Sequence, residues 1–182
     1  MVGSLRRFAA VAAFSLTAAA CAGAPHGAFD GSYGDMAGGA RIELPVHPLQ
    51  CVPYARRISG IPIYGDAWTW WQQAAGRYER GAAPQPGAVL VLDGYAGPRR
   101  AHLAVVRAVI SDREIRVDHA NWLDQGNIHL DDPVMDVSAD NDWSEVRVFN
   151  LAAGAWGTRH YHVRGFIGPG AEDDATRVAG SE

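Results

Sequence analysis

Apolar residues recur at helical spacing in two early segments of the chain and change to alternation after Pro86. Cys51, Tyr54, Ala55 and Ile58 fall at i, i+3, i+4 and i+7, which predicts a helix opening near Cys51. Pro53 lies in its first turn, where a missing N–H has no partner to lose, and Gly60 supplies a left-handed stop. A second stripe, Ala67, Trp70, Trp71, Ala74, Ala75 and Tyr78, follows Asp66 as N-cap and predicts a second helix ending before Gly81. Beyond Pro86 come short β-rich runs bounded by turn residues: 88–92, 102–110, 114–119, 134–137, 146–149 and 160–167. Two N-terminal helices followed by a mainly antiparallel sheet predict an α+β fold.

The flanks do not share this patterning. Arg6 and Arg7 precede an apolar run from Phe8 to Leu16 and then Ala18-Ala19-Ala20-Cys21, so residues 1–21 are expected to be a secretory signal. The run is too short to span a bilayer, which takes about 18 or more apolar residues. Cys21 after three alanines resembles a bacterial lipobox, whose cysteine is lipidated; plain cleavage after Ala20 or Ala24 also satisfies the small-residue rule. Residues 22–41, rich in Gly and Ala without a period, read as a flexible linker, 42–168 as one folded domain, and 169–182 as a disordered tail. The expected location is the periplasm or cell envelope, with membrane contact only through a lipid anchor at Cys21.

Charge excludes one class of partner. Against 20 Asp plus Glu the chain carries 16 Lys plus Arg, and losing Arg6 and Arg7 with the signal takes the formal charge from −4 to −6. Nothing resembles the basic face that a phosphate backbone requires, so nucleic acid is not an expected partner. Oligomeric state leaves no signature. With Cys21 lipidated or removed, Cys51 has no partner for a disulfide, and an exported protein keeps such a thiol either buried or in use.

The chemistry centres on Cys51. Unpaired N–H groups and the dipole at a helix start favour a thiolate, and the same groups can hold the oxyanion formed when sulfur attacks an acyl carbon. An inert core cysteine is the plain alternative. A base is needed as well, and His102 opens a strand, His102-Leu103-Ala104-Val105-Val106, from which an imidazole can reach a neighbouring helix start.

These residues resemble the CHAP domains, the cysteine, histidine-dependent amidohydrolases and peptidases that cut peptidoglycan. The resemblance covers about Leu49 to Phe149. It rests on Gln50-Cys51-Val52-Pro53-Tyr54-Ala55, Gly65-Asp66-Ala67, Pro84-Gln85-Pro86-Gly87-Ala88-Val89 and Ala101-His102-Leu103-Ala104-Val105-Val106. It implies a papain-like, NlpC-like fold, Cys51 as nucleophile, His102 as general base and then acid, and a peptidoglycan or muropeptide substrate. Three positions depart from the family pattern. Leu49 and Ala101 stand where Gly is usual, and His119-Ala120-Asn121 stands where Glu-x-Asn is common. The third member must accept the remaining imidazole N–H of His102. Strand parity puts His119 on the core face with Ile115 and Val117, and Asp118 with Arg116. His119 is favoured, as in the Cys-His-His set of NlpC-like peptidases; Asn121 and Asp118 stay open.

Gln50, Trp68 and Trp122 are candidate substrate-binding residues, the two tryptophans as flat walls for glycan rings or peptide stems. No metal or other cofactor is expected. His160 and His162 share a strand face but have no third ligand in sequence, and the acidic stretch Asp131, Asp132, Asp136, Asp140, Asp142 lacks the spacing of a calcium loop and reads as solvated. The expected activity is cleavage of an amide bond in peptidoglycan through a thioester; the competing expectation is a catalytically silent wall-binding or scaffold protein of the same fold.

Overall fold

Nine strands and two short helices make up residues 39–169, the part of the chain that the computed structural model describes. The expected signal and lipobox, most of the linker and nearly all of the tail lie outside the described residues. In chain order the elements are β1 (Arg41–Glu43), α1 (Cys51–Ser59), a single 3-10 turn (Ala67–Thr69), α2 (Trp70–Gln73), β2 (Arg80–Gly81), β3 (Val89–Asp93), β4 (His102–Val109), β5 (Glu114–Ala120), β6 (Ile128–Asp136), β7 (Glu145–Asn150), β8 (Ala155–Trp156) and β9 (Tyr161–Ile167). Among these residues no helix is long and apolar enough to cross a membrane.

The expected α+β, papain-like layout of helices on a sheet does not form. The protein is mostly β: β6, β5, β4, β3, β9 and β7 pair antiparallel in that order, and β7 pairs back onto β6 to close a six-stranded barrel. Two local features account for the difference. The second apolar stripe does not run as one helix, because Gly76 turns left-handed (φ 70°) and leaves α2 only four residues long. Strand β6 is twice the length read from sequence, and it changes partners midway. Its first residues pair with β1, its last with β7, and between them Asp131 adopts φ 55°. That kink bends β6 far enough for the sheet to close.

Alternation along the strands builds two cores. Leu90 and Leu92 of β3, Ala104 and Val106 of β4, and Ile115 and Val117 of β5 fill the barrel with Trp122, Trp143 and Phe166. The opposite faces, Val89 and Val91 of β3 with Leu103 and Val105 of β4, pack outward against Ala55 of α1 and Trp70 and Ala74 near α2. The helices thus cover one outer wall of the barrel. Residues 102 and 119 fall on the inward parity, so both imidazoles enter the barrel at one end.

Gly165 joins the second core to β9. A Cβ there would lie 2.5 Å from the Trp71 ring and 2.8 Å from the Gly81 carbonyl oxygen, at φ 142°. Gly165→Ala is therefore expected to destabilise the protein by about 2–4 kcal/mol, the combined cost of a glycine-only conformation and overpacking. Urea unfolding of the two proteins, with the midpoint unchanged, would contradict this.

Candidate active site

Helix α1 begins at Cys51 itself. Gln50 before it is extended (φ −102°, ψ 155°), and no side chain caps the helix, so the first-turn N–H groups are free for the sulfur or for an anion beside it. The backbone N–H groups of Leu103, Val52 and Cys51 all act on the thiol, which places the sulfur against the start of β4. Cys51 is half-buried and lines a cleft of about 300 Å³ together with His102, Gln50, Trp68, Arg100 and Asn121.

Behind the cleft, buried side chains form a continuous line. His102 Nε2 lies 3.0 Å from His119 Nδ1, and His119 Nε2 lies 2.9 Å from Asp132 Oδ2. A carboxylate only accepts, so His119 donates from Nε2 and its Nδ1 accepts from His102 Nε2–H. His102 is thereby held with Nδ1 bare, the tautomer that can take a proton. All three groups are at most 1% exposed. Trp122 walls the line, its ring centroid 4.8 Å from that of His102 and 5.5 Å from that of His119, with Tyr95 closing the His102 side.

The line continues past Asp132. His129, which pairs with His119 across β5 and β6, places Nδ1 3.5 Å from Asp132 Oδ2 and donates from Nε2 to Asp124 Oδ2 at 2.7 Å. The bulge at Asp131 lets His129 and Asp132, three apart and of opposite strand parity, both face inward. Ligand atoms of His119, His129 and Asp132 lie within 4.8 Å of one another, a set that a divalent ion could also bridge.

Asp118 lies on the other face of β5. It takes a hydrogen bond from Arg107 at 3.0 Å and from the Asp131 backbone N–H at 2.8 Å. Asn121 contacts Gln50, not His102: its Nδ2 donates to Gln50 Oε1 at 2.8 Å, which leaves the Gln50 amide NH2 as that side chain's free donor. Trp68 is 42% exposed and lines the cleft, whereas Trp122, expected as a cleft wall, is buried in the barrel among the imidazoles. Leu49 donates its N–H to the Gly126 carbonyl at 3.0 Å; a Cβ at Gly126 would stand 2.7–2.9 Å from Pro48 and Leu49, so glycine makes the close approach from the facing loop. His160 and His162 are exposed and separately engaged, by Glu145 and by the Ser144 carbonyl.

His129 and Asp124 have no counterpart in the sequence reading, and Asp132 enters it only within an acidic stretch. The acidic stretch reads as solvated, yet Asp132 and Asp136 are 0% and 2% exposed. Alternation does not find them, because His129 and Val134 are five apart and share a face only across the bulge at Asp131, and the run Asp131-Asp132-Pro133 resembles a turn.

Electrostatics at the cleft differ from what a helix start alone suggests. Burial pushes the Cys51 thiol up, against the helix N–H groups and Arg100. Burial, then the His119 and His129 rings, hold His102 well below its usual range. The pair at rest is therefore a neutral thiol and a neutral imidazole.

Residues 44–121 match the family model for the CHAP domain, in agreement with the motifs around Cys51 and His102. The match ends at Asn121, so Asp124, His129 and Asp132 lie beyond it. No curated protein matches the chain.

A neutral resting pair has a kinetic signature. The rate of Cys51 alkylation by iodoacetamide is expected to keep rising with pH beyond about 8.5, the value of an ordinary thiol. A plateau already reached near pH 6 would instead show a stable thiolate–imidazolium pair.

Proposed function

With a CHAP domain across residues 44–121, which points to a peptidoglycan amidase or peptidase kind of activity, we propose that this protein hydrolyses an amide bond of peptidoglycan through a thioester on Cys51. The observation that carries the reading is the tautomer-fixing line His102–His119–Asp132 ending in the cleft that Cys51 also lines. His102 Nδ1 takes the Cys51 proton as the sulfur attacks the carbonyl carbon. Backbone N–H groups at the start of α1 and the Gln50 amide hold the oxyanion. The C–N bond then breaks, the amine leaves with the proton from His102, and a thioester remains. Water, deprotonated by His102, attacks that thioester to release a carboxylate and restore the thiol.

The cleft suits a peptide stem. Arg99 and Arg100 line it without a carboxylate partner among the described residues, and the exposed Trp68 offers a flat wall. Export by the N-terminal segment, with or without a lipid on Cys21, would carry the enzyme to the wall. The raised thiol favours a second reading, a silent muropeptide-binding protein.

Purified sacculi separate the two readings. Cys51→Ala is expected to reduce the release of new amino groups to background, and His102→Ala to reduce it by about 10²–10⁴-fold. Equal release by Cys51→Ala and wild type would leave only the binding reading.

A further inference from the structure

The buried groups beyond His119 do more than fill the barrel end. Asp132 Oδ1 and His129 Nδ1 are buried without hydrogen-bond partners, and Asp132 Oδ2 is shared between the two imidazoles. Asp124, at the far side of His129, also organises the loop that ends at β6: its Oδ1 accepts from the N–H groups of Gly126 and Asn127, both at 3.1 Å. That loop grips the approach to the nucleophile. Gly126 holds Leu49 through its carbonyl, Asn121 N–H donates to the Asn127 carbonyl at 2.8 Å, and the Asn121 side chain holds Gln50. Two routes thus lead from Asp124 to the cleft, one through His129, Asp132, His119 and His102, the other through the loop to Gln50 and Cys51.

We propose that His129 is a positioning residue that ties the imidazole line to the Gln50 loop, so that the base and the oxyanion donor keep one fixed relation; this rests on the hydrolase reading of the same site. The titratable groups facing His129 are Asp124 from the loop, Asp132 on its own strand and His119 from β5. Burial opposes its charge, but the Asp132 and Asp124 carboxylates together outweigh burial and raise its pKa. The Asp124 carboxylate fixes the His129 ring at Nε2, and the ring packs edge-on against His119 with Nδ1 3.5 Å from Asp132 Oδ2. Truncating that ring opens space beside the carboxylate that fixes His119.

The test uses the full chain with soluble muropeptides as substrate and two variants, His129→Gln and Asp124→Asn. Asp124→Asn keeps an oxygen for the Gly126 and Asn127 N–H groups and so spares the turn. Each variant is expected to lose about 10–100-fold in kcat with KM within about twofold, the scale of a modest misplacement of a catalytic group. A purely structural loss would raise KM as well as lower kcat. Nitrogen-15 histidine spectra give a readout independent of turnover: the wild type should show His102 and His119 as Nε2–H tautomers, and His129→Gln a mixture.

Unchanged kcat and tautomers in both variants would overturn the proposal. So would a stoichiometric metal ion retained by the wild type and lost in His129→Gln, since His129 would then be a ligand. If Cys51→Ala keeps wild-type turnover, the hydrolase reading fails, and the tautomer spectra still decide the coupling.

Discussion

An imidazole accepts a proton from a thiol only when the nitrogen facing that thiol is bare, and something must hold the hydrogen on the other nitrogen. In this chain that hold is His119, itself fixed by Asp132, along two contacts of 3.0 and 2.9 Å closed off from water. A carboxylate at the end of the line sets the direction of every donor before it. The cleft, the uncapped start of α1 and the Gln50 amide acquire meaning only if that direction is kept.

The barrel supplies the dry setting, with two consequences. Hydrogen bonds in a low-dielectric interior are stronger and more directional, which favours a single tautomer through both rings. The same burial disfavours charge on Cys51 and His102, so the activation expected from a helix start is outweighed at rest. In the proposed reaction sulfur and imidazole would become charged together, as the proton moves, beside the backbone N–H groups at the start of α1. The aromatic walls, Trp122 above all, exclude water from the ring faces.

Much of this was legible in local pattern. The helix read at Cys51 runs to Ser59 with Gly60 left-handed behind it, and the strands read at 102–110 and 114–119 appear as β4 and β5 within a residue at each end. Parity along β5 separates His119 from Asp118 because that strand alternates regularly up to the site. Closure of the barrel was not legible. It depends on β6 exchanging β1 for β7 at Asp131, a long-range pairing set by one left-handed residue. The same bulge hides Asp132 and His129, whose inward direction contradicts simple alternation. Trp122 was misplaced for a related reason: it follows Asn121, which has φ 60°, so strand parity no longer applies to it.

The whole account requires the sulfur of Cys51 to form a bond to the acyl group of its substrate. Intact-protein mass spectrometry of the wild type, acid-quenched during turnover of a muropeptide, should show an added acyl mass that maps to the Cys51 peptide and is released by hydroxylamine. Turnover by the wild type with no such adduct, or an adduct on another residue, would contradict it.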